Sequence, residues 1–280
     1  MTIPINYRWF SLTAATLLLL AACNSDDTEV DYSLRPLKVI VDGGTRSSAI
    51  TTETLSSFSM NYGANKYDAQ KSGSEWNTVP DSWPNSVGND DMIDFYAYTG
   101  GTFNQNSGNP YLSFTANGEA ASTQDLLIAH VITSYNTGYK GTKGAVKLTF
   151  DHACAAVDFT INSTKTDPVT IREIVLNNVR RSGQYSYQSG WNDADDGTIN
   201  SNYTLYSAPS GGFSLTNGTG PYALSAEHSS CGTLFFIPQT LSTVLVRYTV
   251  NAANKKTTIT LNKPVKAGDH YNINLELSQN

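Results

Sequence analysis

Apolar and polar residues alternate with period two along most of the chain, and no window of helical length carries an apolar stripe of period 3.6. Successive side chains of a strand point to opposite faces, so this alternation predicts half-buried β-strands. In the first half these are expected at Leu37 to Val41, Phe58 to Tyr62, Met92 to Tyr98, Tyr111 to Thr115 and Leu126 to Ile132. The second half predicts Ala145 to Phe150, Ala155 to Ile161, Val169 to Val175, Tyr185 to Tyr187, Leu234 to Ile237, Val244 to Val250, Thr257 to Leu261 and Tyr271 to Leu277. Clusters of Gly, Asn, Ser, Asp and Pro, such as Asn104 to Pro110 and Ser207 to Gly212, separate them as turns and loops. Many short strands with frequent turns predict an all-β protein of sandwiches or barrels.

The run Thr137-Gly-Tyr-Lys-Gly-Thr-Lys-Gly144 lies between two strong strand signals and is rich in glycine, which predicts a domain boundary near Lys143. The expected division is an N-terminal β-sandwich over 37–143 and a C-terminal one over 144–280. The polar stretch from Arg180 to Pro221 reads as a loop-rich hairpin region of the second domain.

The N-terminus follows a different pattern. Arg8 precedes an apolar core from Leu12 to Leu20 that is too short to span a membrane, and the core ends in Leu20-Ala-Ala-Cys23. This is the cleavage pattern of a bacterial lipoprotein, and it predicts a signal peptide over 1–22, a lipidated Cys23 and a polar tether over 23–36. Acyl chains, at about 0.8 kcal/mol per buried methylene, would then hold the domains at a bilayer surface. No second long apolar run follows, so the remainder is expected to be water-soluble.

Charge and composition narrow the partners. The net charge of -6 becomes -7 once Arg8 leaves with the signal, a balance that repels phosphates and argues against nucleic acid. Charged residues are only 15% of the chain while Tyr, Thr, Ser, Asn and Gly abound, as in secreted β-proteins. With Cys23 lipidated, Cys154 and Cys231 remain. They are either paired in a disulfide or buried as small apolar residues, and the sequence leaves both readings open.

Residues for catalysis are not assembled in any sequence pattern. His130, His152, His228 and His270 are scattered, without HExxH, CxxC, a GxSxG elbow or a phosphate-binding glycine loop. No catalytic residue, metal ligand or cofactor is therefore expected. Asn192-Asp-Ala-Asp-Asp-Gly197 clusters oxygen ligands, but its glycine is one position early for an EF-hand and Thr204 stands where a glutamate is needed, so it reads as a turn. Trp76 and Trp83 flank a loop before a strand and are expected to pack, whereas Trp191, among Gly and Asp, is the tryptophan read as a ligand contact.

Several short motifs occur in an order that resembles the fimbrillin family, the lipoprotein-derived subunits of type V pili. Trp76 and Trp83-Pro84 precede Met92-Ile-Asp-Phe-Tyr-Ala-Tyr98, and Asp125-Leu-Leu127 follows. Then come Val146-Lys-Leu-Thr-Phe150-Asp-His152-Ala, Ile171 to Leu176, Gly183-Gln-Tyr185, Phe236-Ile-Pro-Gln239 and Ala267-Gly-Asp-His-Tyr271. The resemblance implies two tandem transthyretin-like β-sandwich domains and a non-catalytic pilus subunit or pilus-associated adhesin at the outer membrane surface. Implied partners are other pilus subunits, the outer membrane through the lipid anchor, and a host protein or glycan.

Leu37-Lys-Val-Ile-Val41, followed by Asp42-Gly-Gly-Thr-Arg46, resembles the family's first strand and the loop cut by an arginine-specific protease. Leu37, Val39 and Val41 would form a displaceable strand and Arg46 the processing site, while Arg35 is disfavoured because Pro36 follows it. The alternative is a permanent edge strand in a pilus anchor or a non-polymerising surface lipoprotein that binds glycan or host protein. Tyr271, Ile273, Leu275 and Leu277 complete one strand face directly before Asn280, which leaves little to donate and favours tip, anchor or accessory roles over the shaft.

Overall fold

The computed structural model of the protein describes residues 35–42, 55–106, 108–116, 125–192, 200–208, 211–224 and 232–278. Among them the regular elements are β-strands, with no helix, and each strand predicted from alternation is present. The first eight are β1 (Lys38–Asp42), β2 (Ser57–Tyr62), β3 (Asn65–Ser72), β4 (Glu75–Val79), β5 (Ile93–Tyr98), β6 (Thr102–Asn106), β7 (Asn109–Thr115) and β8 (Leu127–Thr133). Next come β9 (Ala145–Thr149), β10 (Asp151–His152), β11 (Ala155–Ser163), β12 (Val169–Arg180), β13 (Ser182–Ser186) and β14 (Gly190–Trp191). The chain continues with β15 (Asn200–Ser207), β16 (Phe213–Leu215), β17 (Tyr222–Ala223), β18 (Leu234–Phe236), β19 (Gln239–Val250), β20 (Ala253–Val265) and β21 (His270–Leu277).

The N-terminal lobe is one eight-stranded sheet in the order β10-β8-β5-β2-β3-β4-β1-β9. Its two terminal strands, β9 and β10, are separated in sequence by Phe150 alone. Residues two apart lie at most roughly 7 Å from each other, so the sheet must fold back until its ends meet. Inside it lie Phe58, Met60, Tyr67, Phe95, Val146 and Leu148, all buried. Trp83 belongs to this core, edge-on to Phe95 at 5.3 Å and to Tyr135 at 5.8 Å, and Trp76 packs against Phe58 at 4.9 Å.

Ala145–Thr149, which the sequence analysis assigns to the start of the second domain, pairs with β1 inside this first sheet. A cut after Lys143 would therefore separate β9 from its partner. The glycine run that suggested a boundary is a compact turn within the lobe, closed by hydrogen bonds such as Tyr139 N–H to Ala145 O at 2.8 Å and Gly144 N–H to Tyr135 O at 2.8 Å.

The C-terminal lobe is a sandwich. One layer is β15-β12-β19-β20 with β16 on β12, and the other is β17-β11-β18 with β21 on β11. Ile161, Ile273 and Leu275 of the second layer meet Ile171, Ile174, Leu176, Val244 and Val246 of the first in one core. Ile273, Leu275 and Leu277 thus lie within their own lobe, on a strand that runs parallel to β11 over eight pairs from His270 to Leu277.

A further sheet, β14-β13-β7-β6, joins the two halves. Ser182–Ser186, expected in a loop-rich region of the second domain, pairs with Thr115 to Tyr111 of the first half. Beneath it Tyr98, Leu112, Phe114 and Leu126 pack with Cys154, Phe235 and Ile237. Cys154 is a free, buried thiol, and burial pushes its pKa up, away from the reactive thiolate. Cys231 lies outside the described residues.

At this junction β10 pairs with β8, and the Asp125 carboxylate meets Nδ1 of His152, both side chains buried. Removing one member, as in His152→Ala, leaves a carboxylate in the interior without its partner. Such a loss is expected to destabilise the fold by about 3–5 kcal/mol, read as a fall in the urea midpoint. Replacing both residues by leucine should recover most of that loss; an unchanged midpoint in the single variant would show that the pair does not hold the junction.

Candidate functional site

The strand singled out by the sequence, β1, lies between β4 and β9. Its alternation is realised: Leu37 and Val39 are buried in the N-terminal core, Val41 packs against it half-buried, and Ile40 faces outward. The two sides of the strand are unequal. Lys38 to Asp42 run parallel to Ala145 to Thr149 over five consecutive pairs, whereas β4 is in register only at Val39 and Trp76. Beside the strand a cleft of about 460 Å³ is lined by Leu37, Val39, Val41, Glu75, Trp76 and Asn77.

Both ends of β1 are held by charge. Upstream, the buried Arg35 donates from Nη1 to Val87 O at 3.0 Å and Asn89 Oδ1 at 2.9 Å, and from Nη2 to Pro84 O at 2.8 Å. Its guanidinium also lies 5.8 Å from the Tyr135 ring centroid. Hydrogen bonds to charged donors inside a protein are the strong ones, so Arg35 fixes where the chain enters the sheet. Downstream, Asp42 pairs with Lys147 at 2.7 Å, and this hydrogen bond holds the ammonium pKa above its usual value. The sequence names Arg35 only as a poor cleavage site; nothing in a lone arginine before a proline signals a buried clamp.

Gly144 is required at the point where β1 starts. Its φ is +71°, and a Cβ there would lie 2.2 Å from Pro36 O and 2.9 Å from the Tyr135 ring. Lys38 N–H also donates to Gly144 O at 2.9 Å. The parallel approach of β1 to β9 therefore depends on the absence of a side chain at this position.

Cys23 and Arg46 lie outside the described residues, as do residues 193–197 of the oxygen-rich loop. Trp191 is half-buried; its indole N–H donates to Ala153 O at 2.6 Å and its ring meets Tyr185 edge-on at 5.4 Å. The structure thus gives it packing partners at the junction. Each described histidine sits beside an aspartate: His130 with Asp94 at 2.8 Å, His270 with Asp158 at 2.7 Å, and His152 with Asp125. These pairs are dispersed, and among the described residues there is no group of three His, Cys, Asp or Glu side chains able to hold a metal ion.

Residues 42–280 match the protein family described as fimbrillin-like. Among solved structures, a proposed cell adhesion protein of Bacteroides ovatus matches with a TM-score of 0.50 at 13% identity, covering 86% of this chain and 92% of that one. A second, from Bacteroides eggerthii, matches with a TM-score of 0.50 at 12% identity over 88% of this chain and 86% of that one. A fimbrial protein of Bacteroides ovatus aligns with a TM-score of 0.41 at 16% identity, over 87% of this chain and 50% of that one. No curated protein matches.

Gly144→Ala is expected to lift Pro36 and loosen β1, costing more than the roughly 1–2 kcal/mol of a side chain in the left-handed region alone. The comparison is Gly141→Ala, which carries a similar φ of +74° but has nothing within 4 Å of its Cβ. Protection of the β1 amides from hydrogen exchange and the melting temperature should both fall further for Gly144→Ala; equal behaviour would remove the steric link between Gly144 and the strand.

Proposed function

The chain belongs to the fimbrillin-like family, and from that premise we propose that it is a non-catalytic pilus subunit or pilus-associated adhesin, exported as a lipoprotein and assembled by strand exchange after proteolysis. The observation that carries this reading is the position of β1: a short strand that buries Val39, with Leu37 buried just before it, paired fully on one side and at a single register position on the other. Withdrawing it exposes the core positions of Leu37 and Val39, at about 1.5–3 kcal/mol per side chain. It also frees the edges of β4 and β9, which then bound a groove. A strand from a neighbouring subunit would refill that groove, with main-chain hydrogen bonds for affinity and alternate side chains for fit. Repeated head to tail, the contact yields an open filament.

Cleavage at Arg46, just beyond Asp42, would cut the covalent link on one side of β1 while Arg35 and the β9 ladder still hold it. Exchange is then a displacement, slow until the plug leaves. The same clamp favours a second reading, in which β1 stays in place permanently and the protein serves as a pilus anchor or a non-polymerising surface binder of glycan or host protein. Lipidation at Cys23 fits either role.

Limited digestion of the folded protein with an arginine-specific protease is expected to cut after Arg46 and to spare the buried Arg35. Arg46→Ala should block processing and fibre incorporation without changing monomer stability, and Val39→Ser should speed exchange. Mass spectrometry of the digest and negative-stain microscopy with cognate subunits are the measurements. An uncut Arg46, or fibres that form normally with Arg46→Ala, would leave the permanent-strand reading.

Cys23→Ala should abolish acylation and move the protein from the detergent phase to the aqueous phase on partitioning. A wild-type mature protein that begins elsewhere and carries no lipid would sink the lipoprotein assignment.

A further inference from the structure

Far along the chain from β1, the hairpin of β19 and β20 gathers positive charge in a protein whose net charge is -6. Arg247 lies directly across from Lys256, and Tyr248 across from Lys255. Arg172 occupies the irregularity in β12 between Ile171 and Glu173, which pair with Tyr248 and Arg247. Four cations thus fall within two adjacent register steps, Arg247 and Lys256 on one face and Lys255, across from Tyr248, on the other face of β20 at the end of its sheet. They border one open cavity of about 590 Å³ that also includes Tyr248 and Asn254.

Among the described residues one carboxylate pairs with this cluster. Glu173 pairs with Nε of Arg247 at 2.7 Å and leaves the terminal guanidinium nitrogens of that side chain to solvent. The side chains of Arg172, Lys255 and Lys256 make no hydrogen bond or ion pair among the described residues. Like charges placed directly opposite on neighbouring strands destabilise a sheet, so the Arg247–Lys256 pairing is a cost to the fold that a bound anion would offset. Two guanidinium forks suit the planar geometry of a carboxylate or the oxygens of a sulfate.

We propose that Arg172, Arg247, Lys255 and Lys256 form a binding site for an anionic polysaccharide, a chain bearing sulfate or uronate groups. The neighbouring cavity, about 570 Å³, shares Tyr248, Lys255 and Lys256 with the first. It continues the surface with Thr257, Thr258 and Ser278, with the carboxylates of Asp167 and Glu276, and with Lys165, whose ammonium donates to Ser278 O at 2.8 Å. The two carboxylates there outnumber the single ammonium and repel a second anion, while carboxylates and hydroxyls alike accept hydrogen bonds from sugar hydroxyls. The ligand is therefore charged at one residue and neutral and hydroxyl-rich at the next. A nucleic acid, charged at every unit, would meet Asp167 and Glu276. It would also find no stacking surface, since Tyr248 is 6% exposed. This site stands on the C-terminal lobe alone and holds whether or not β1 is exchanged.

The test is calorimetric titration of the purified protein with heparin, polygalacturonate, neutral dextran and a single-stranded oligonucleotide. One or both acidic polysaccharides should bind, more weakly as salt is added, and dextran should not. Arg172→Gln with Lys256→Gln removes two outward cations without touching the core and should weaken binding about tenfold, as expected for losing two charge-assisted contacts. Lys66→Gln with Lys71→Gln, on β3 of the other lobe, should leave it unchanged. Absence of binding to both acidic chains, equal weakening by the β3 pair, or an oligonucleotide bound as tightly as the polysaccharides would each overturn the assignment.

Discussion

The N-terminal lobe depends on one parallel ladder, the five-residue pairing of β1 with β9. β9 is the last strand of its sheet, and among the described residues β1 is its only hydrogen-bonded neighbour there. Because Phe150 alone separates β9 from β10 at the other end of the sheet order, whatever holds β9 in place also holds the closure of the whole sheet. Leu37 and Val39 reach the core only while that ladder is intact. Gly144 and Arg35 set the ladder's start, and Asp42 with Lys147 ties its end. A strand that carries so much of the lobe's organisation is also the strand whose replacement changes the lobe most.

Much of the all-β architecture was legible from alternation, because burying one face of a strand imposes period two on its apolar residues. The pattern failed where little is buried. In β3 only Tyr67 and Ala69 are inward among polar neighbours, and β13 has no fully buried residue, so neither announced its full extent in sequence. The pairing of β13 with β7 was out of reach for a further reason: it joins residues far apart in the chain through main-chain groups, which every residue carries alike. For the same reason the glycine run at 137–144 read as a linker, although glycines with positive φ equally serve tight turns inside one lobe.

The candidate site was legible in part. Leu37, Val39 and Val41 stood out by alternation and lie where that alternation puts them. Arg35 did not stand out, since the value of a buried guanidinium comes from the carbonyls of Val87 and Pro84, which sequence does not display. Two of the short motifs, one beginning at Asp125 and one containing His152, proved to be halves of a single buried contact. Trp191 looked free because its neighbours in sequence are small and polar. Its neighbours in space are Tyr185, Phe114 and the carbonyl of Ala153.

The parallel direction of the β1–β9 ladder has a mechanical consequence. β1 lies on the N-terminal side of the chain and β9 leads into the remainder, so tension drawn between the two pulls the strands from opposite ends. Parallel strands loaded in that way slide past each other, and their hydrogen bonds resist as a group. An antiparallel pair drawn at one end would instead peel apart bond by bond. The strand at this position, whether native or supplied by a neighbour in the same direction, is therefore oriented to bear a tensile load in shear.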